Sequence, residues 1–274
     1  MTHNDYQLDE SITGEGAQGT VVVATHTITG KQYVAKITDL KKRTNTQKFK
    51  TEVEILEQLK TCKYVVRIFD SYEENNCGVM ILQKMSYDLM TLLEENILTL
   101  QQKLNIFIQV CKGIKEIHKK GIVHLDIKPE NILVSADFSL VKICDFGGAI
   151  RVKKDNLVKA SCGTLVYSAP EYYCGQKFDG KKADIWSLGI LLHVLLSGFW
   201  PYEMHKSDLM FQVISASLVM FPELTVEQKN IISEMTTLNP RRRCDLSTVI
   251  KACEKNFVKP ITLRSRIKSK IASM

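Results

Sequence analysis

His124-Leu125-Asp126-Ile127-Lys128-Pro129-Glu130-Asn131 places an acid, a cation and a second oxygen donor within eight residues. The apolar run Ile132-Leu133-Val134 follows directly and reads as a strand, which puts the octet on a loop that feeds a sheet. In-line phosphoryl transfer needs a group to orient the attacking hydroxyl, a positive charge near the moving phosphoryl, and an oxygen ligand for a metal ion. Asp126, Lys128 and Asn131 offer one of each. An Asp-Phe-Gly triplet at 145–147 begins nineteen positions beyond Asp126. Isolated aspartates and asparagines often do no more than cap turns, so the rest of the chain has to support the reading.

Upstream, Gly14, Gly16 and Gly19 spell G-x-G-x-x-G. A dinucleotide-binding turn would open a helix here. Instead Thr20-Val21-Val22-Val23 is β-branched, and a second strand-like run at 31–37 follows the turn at Thr29-Gly30. A glycine turn between two strands lets backbone N–H groups approach phosphates closely. Residues 45–60 carry Phe49, Val53, Leu56 and Leu59 at helical spacing, and strand-like runs at 64–69 and 79–82 flank the polar turn Glu73-Glu74-Asn75-Asn76. Between 101 and 119, Leu104, Phe107, Ile108, Cys111, Ile114 and Ile117 keep the helical period, and Ile122-Val123 leads into the octet as a short strand. Everything after residue 86 reads helix-rich.

In this order, the octet and the Asp-Phe-Gly triplet resemble the catalytic loop and metal-binding turn of eukaryotic serine/threonine protein kinases. Val34-Ala35-Lys36 is similar to the family's lysine strand, and Ala169-Pro170-Glu171, Asp184-Ile185-Trp186-Ser187-Leu188-Gly189 and Arg243 match three later landmarks, so the likeness spans about 6–257. The resemblance implies an α+β, bilobal kinase fold. It has a mainly β N-lobe over 1–85 with one key helix, a mainly α C-lobe over 86–258, and a basic tail over 259–274. It implies ATP and Mg2+ as cofactors and protein as substrate. Asp126, Lys128, Lys36, Glu52 and Thr164 take the catalytic roles, with Glu54 as the alternative partner for Lys36; Asn131 and Asp145 are the metal ligands. Gly14, Glu15, Gly16, Gly19, Val21, Ala35, Lys36, Leu82, Gln83, Met85, Leu133 and Cys144 line the nucleotide, with Leu82 as gatekeeper and 83–85 as hinge. Asp184 is expected to accept backbone N–H bonds from the catalytic loop, and Arg243 to pair with Glu171. Lys128 and Thr164 point to serine and threonine as acceptors.

Gln83, where the family often has Glu, and Gly148 after Asp-Phe-Gly depart from the family pattern, but the informative departure is Leu125, which stands where many kinases hold an arginine that binds a phosphate on the activation segment. Ala160 stands where that phosphate would be carried. Both halves of the switch are missing together, so activity without activation-segment phosphorylation is expected. Glu130 and Asp88 suggest a preference for substrates with basic residues upstream of the acceptor. A kinase-fold scaffold with little turnover, and a kinase of small molecules or lipids, are the rival readings.

Composition agrees with a soluble, cytoplasmic protein that buries a real core: 274 residues, 45% hydrophobic and 24% charged. Residues 1–10 show no secretory pattern, and the longest apolar run, 190–196, is too short to span a bilayer. The eight cysteines form no C-x-x-C pair or zinc-type spacing and read as free thiols. Net charge is +7, but residues 259–274 hold five basic residues and no acid, which leaves +2 for the rest. Nucleic-acid binding is therefore not expected. The tail, with Ile261, Leu263, Ile267 and Ile271 beside its basic residues, reads as a solvated terminus or a contact for membrane or an acidic partner.

Overall fold

Two-residue alternation shapes the first third of the chain. The strands β1 (Thr2–His3), β2 (Tyr6–Gly16), β3 (Gly19–His26) and β4 (Gln32–Asp39) precede helix α1 (Arg43–Leu59), and β5 (Ile68–Glu74) and β6 (Cys77–Leu82) follow it. They form one antiparallel sheet in the order β1-β2-β3-β4-β6-β5. Its two faces are chemically distinct. Tyr6, Val22, Ala24, Tyr33, Ala35, Val79 and Ile81 form a separate outer cluster. On the opposite face Lys36 pairs with Val21 and Met80, Val34 pairs with Leu82, and α1 packs with Phe49, Glu52, Ile55, Leu56 and Leu59 buried. The computed structural model describes residues 2–3, 5–16, 19–159, 163–202, 209–216 and 218–256. The basic tail and Ala160, Ser161 and Cys162 lie outside them.

The strand expected over 64–69 begins only at Ile68. Tyr64 ends a turn and Val65 makes an isolated parallel bridge to Ile143 in the helical lobe, where Val66 N–H donates to Ile143 O (2.9 Å) and Ile143 N–H to Tyr64 O (2.8 Å). The β5–β6 turn uses Asn75 and Asn76 at φ 50° and 59°, the left-handed pair that suits a tight hairpin.

The second lobe runs β7 (Tyr87–Asp88), α2 (Leu89–Glu94), α3 (Leu100–Lys119), β8 (Ile122–Val123), β9 (Ile132–Val134), β10 (Val141–Ile143), β11 (Ile150–Arg151), β12 (Leu157–Val158), β13 (Phe178–Asp179), α4 (Gly180–Ser197), α5 (Leu209–Ile214), α6 (Val226–Met235) and α7 (Leu246–Asn256). Thr99 and Gln102 close a capping box at the start of α3. Asp179 caps α4, and Gly198 at φ 80° ends it. The apolar run 190–196 lies in α4, which is buried on almost every side because α3 and α6 cover it. One continuous core runs from Phe49, Leu56 and Met80 through Phe107 and Ile114 to Leu188, Leu191, Ile232 and Val249, so the two lobes share their hydrophobic interior. The seven described cysteines are free. Among the described residues no helix is long and apolar enough to cross a membrane.

Candidate active site

The loop at 124–131 hangs from α4. Asp184, fully buried, accepts N–H bonds from His124 (3.0 Å) and Leu125 (2.8 Å), and His118 Nε2 lies 2.7 Å from Oδ2. Such bonds to a carboxylate are about twice as strong as neutral ones, and they are made where water cannot compete. They hold Leu125 at φ 65°, a region that costs an L-residue about 1–2 kcal/mol. The Leu125 side chain is 5% exposed and sits in the apolar cluster of Val158, Tyr167, Phe178 and Trp186. An arginine here would have to bury its charge.

Asp126, Lys128 and Asn131 meet in one cluster with Thr164. Asp126 Oδ1 accepts from the Thr164 hydroxyl (2.9 Å) and backbone N–H (3.2 Å). Its Oδ2 accepts from Asn131 Nδ2 (3.0 Å) and lies 3.3 Å from Lys128 Nζ, which donates to Thr164 Oγ1 (2.9 Å). Asn131 Nδ2 also donates to Asp126 O (2.8 Å), which leaves its Oδ1 as the atom to offer a cation. His124 braces the floor: Nδ1 accepts from Asp126 N–H (3.3 Å), so Nε2 carries the proton and donates to Cys144 O (3.1 Å).

Lys36 joins the lobes. Its Nζ lies 2.7 and 3.0 Å from the two Glu52 oxygens and 2.9 Å from Asp145 Oδ1. Burial works against the lysine's charge, but Glu52 and Asp145 outweigh it and hold the pKa above the ordinary value. One cation shared by two carboxylates leaves the deeper one undercompensated. Burial accordingly raises Glu52, and Lys36 only partly offsets it. Burial also acts to raise Asp145, but Lys36, with His124 adding to it, brings that carboxyl below its ordinary range. Glu54, the alternative partner, is exposed on the far side of α1 and bonds Arg151 instead (3.0 Å).

The glycine hairpin has the pairing Gly14↔Val21, Glu15↔Thr20 and Gly16↔Gly19, with the described backbone stopping at Gly16 and resuming at Gly19. A Cβ on Gly19, at φ 141°, would collide with the Ile37 carbonyl oxygen. Glycine is therefore required there whatever lies beneath the turn. Val21 shares the face of Lys36. Ala35 does not: successive strand residues point to opposite faces, and Ala35 is buried in the outer cluster with Val22 and Ile81. Its place beside Lys36 belongs to Val34, which packs on the main core. Ala35 therefore lies on the sheet face away from Lys36, and Val34 on the same face as Lys36.

Leu82 is buried, and the Gln83 N–H is spent on Arg67 O (2.9 Å), while its side-chain amide reaches Met85 Sδ (3.6 Å). Leu133 is half-buried between Ile132 and Val134, which point into the core. The β9–β10 hairpin sets Asn131 opposite Cys144, whose N–H donates to Asn131 O (3.0 Å), and so brings Asn131 beside Asp145. Burial, with Asp145 adding to it, pushes the Cys144 thiol far up. An amide oxygen and a carboxylate are hard ligands that suit Mg2+ and leave most of its shell to phosphates or water. Among the described residues, no group of three His, Cys, Asp or Glu side chains forms a self-sufficient metal site.

A sequence model of the family described as "Protein kinase domain" matches residues 6–258. The chain belongs to this family. It is 29% identical over 265 residues to a calcium-dependent protein kinase 5 of Plasmodium berghei, covering 93% of this chain and 46% of that protein. It is 30% identical over 244 residues to a probable serine/threonine-protein kinase of Dictyostelium discoideum (86% and 29%). With the carbon catabolite-derepressing protein kinase of Saccharomyces cerevisiae it shares 28% identity over 252 residues (90% and 39%). The chain spans less than half the length of these relatives.

In this kinase domain the expected structural pair is bidentate: Arg243 Nη1 and Nη2 reach the Glu171 oxygens at 2.6 and 2.7 Å, with the guanidinium 5.0 Å from the Trp186 ring. Asp88, near the hinge, is engaged as the α2 cap, accepting from the Thr91 N–H and hydroxyl (both 2.8 Å). The ties that sequence reading missed are His118–Asp184 and Arg151–Glu54. Their partners lie 66 and 97 positions apart, and no local pattern signals them.

Proposed function

We propose that this kinase domain transfers the γ-phosphoryl group of ATP to serine and threonine hydroxyls of proteins. The observation that carries the reading is the convergence of Thr164, Asn131 and Lys128 on the two oxygens of Asp126. A largely dissociative transition state asks little nucleophilic push, so a fixed carboxylate that orients the hydroxyl and later takes its proton is the main requirement. Lys128, within reach of the same site, is placed to neutralise charge on the moving phosphoryl. Lys36, oriented by Glu52, is suited to the α- and β-phosphates. Val21, Val34, Leu82, Leu133 and Cys144 line the adenine side, with the backbone of 83–85 as hinge. Asn131 Oδ1 and Asp145 would hold Mg2+, which supplies charge neutralisation at the phosphates.

Two finer readings follow. Activation-segment phosphorylation is not needed, because the position that would grip the phosphate is an apolar side chain packed in the core. Glu130, exposed at the edge of the octet, favours substrates with a basic residue two or three positions before the acceptor; in a peptide array, exchanging that residue for alanine should lower incorporation, and an unchanged signal would refute this. The main test is incubation with labelled ATP, Mg2+ and a generic basic protein beside an Asp126→Asn control. Loss of the carboxylate should cost about 10²–10⁴ in rate. Equal signal from the control would overturn the enzymatic reading, and label found only on small molecules or lipid would overturn the choice of substrate.

A further inference from the structure

Glu52 is useful only while α1 stays where it is, and α1 has weak ends of its own. Lys42 at its N-cap makes no side-chain capping bond, the first turn holds no acid and the last turn no base. Its second half is tied from outside instead. Arg151 Nη1 donates to Glu54 Oε2 (3.0 Å) and its Nε to Gln58 Oε1 (3.3 Å), so one guanidinium spans a full helical turn. Gln58 Nε2 donates to Lys120 O (3.0 Å), and Lys120 Nζ returns to Gln58 O (3.1 Å) and Thr61 Oγ1 (3.3 Å), placing a cation at the helix C-terminus. Arg151 is itself anchored. It lies on β11, paired with Ile122 of β8, and Val152 N–H donates to Gly121 O (2.8 Å). The guanidinium therefore connects the strand that feeds the catalytic loop to the face of α1 opposite Glu52.

We propose that Arg151 is a positioning residue for the Lys36–Glu52 pair, acting through Glu54 and Gln58, and that this clamp couples α1 to the start of the activation segment without any phosphate. The proposal rests on the phosphotransfer reading above. Glu52 and Glu54 lie about 200° apart around the helix, so Lys36 holds α1 from within and Arg151 from without. The side chains of Arg151 and Glu54 are 44% and 64% exposed, so the clamp is modest and salt-sensitive.

The test is a charge swap. Arg151→Glu and Glu54→Arg should each lower kcat about two- to fivefold with little change in the peptide KM, and each should speed amide exchange across residues 43–59. The double variant restores the ion pair with its charges reversed. It should recover at least half of the loss in both readouts. Singles that leave kcat and exchange unchanged, a double no better than the worse single, or exchange accelerated throughout the chain would each overturn the proposal. If the unmodified protein transfers no phosphoryl group, the functional reading fails, while the exchange pattern of the swap still decides whether the clamp positions α1.

Discussion

Substituting Asp184 separates the catalytic loop from its support without touching a group that meets substrate. In Asp184→Asn the remaining amide oxygen can still accept from Leu125 N–H, as Oδ1 does now at 2.8 Å. The new NH2 group would face the His124 N–H, which now donates to Oδ2 at 3.0 Å. One buried donor is then orphaned, at a cost of about 1–3 kcal/mol. Asp184→Ala removes the acceptor of both loop N–H groups, about 2–6 kcal/mol, and the partner of His118 Nε2 (2.7 Å) as well, but gives the loop an exit, because Leu125 regains about 1–2 kcal/mol by leaving φ 65°. That relaxation moves Asp126, and a displacement of about 1 Å can cost about a hundredfold in rate. Urea unfolding should therefore rank the alanine variant below the asparagine variant and both below the parent. The kcat of the alanine variant should fall about a hundredfold, while KM for ATP, set by the untouched Lys36 side, stays within about threefold. A folded Asp184→Ala protein with kcat near that of the parent would refute the idea that Asp184 holds Asp126 in register.

Phosphatase treatment should leave the turnover of the purified protein unchanged, and Leu125→Arg should lower the melting temperature, since its charge would enter the cluster around Val158 and Phe178; abolition of activity by phosphatase would contradict the first expectation. His193, on α4, is held neutral: Nδ1 bonds Phe199 O (2.9 Å), Nε2 accepts from Phe221 N–H (3.2 Å), and burial brings its pKa below the ordinary 6.5. Its contribution to stability is therefore complete above pH 6.5 and is lost as pH falls through the folded-state value, so His193→Gln should flatten the urea midpoint between pH 7 and the acid side; an unchanged slope would be the contrary result. Gly19→Ala, forced against the Ile37 carbonyl, should weaken ATP binding and destabilise the β2–β3 hairpin, read by nucleotide-dependent thermal shift. Parental values in that variant would show that the hairpin adjusts.

The chemistry was legible in the linear chain because it depends on residue types at short spacing. Asp126, Lys128 and Asn131 share one loop, Asp145 follows across a hairpin, and a period of 3.6 marks α1 and α3 without reference to anything distant. Glu52 was readable only through the family resemblance, as the acid that Ile55 and Leu56 follow, and Glu54 stood beside it as the alternative until the structure placed the two on opposite faces of α1. What sequence reading misplaced depends on faces and partners. Ala35 and Val34 differ by one position, and only the pairing of β4 with β3 and β6 shows which of them lies beside Lys36. The valines at 65 and 66 suggested a strand, but Val65 only bridges Ile143 of β10 in the other lobe and Val66 bonds the same residue, so neither lengthens β5. Leu125 showed in the sequence only as a missing arginine. Its left-handed backbone is imposed by Asp184, 59 positions away, and its side chain is kept by residues from β12, β13 and α4. Local propensity governs elements whose bonds close within a few residues, whereas long-range bonds and buried clusters exist only once the chain has packed.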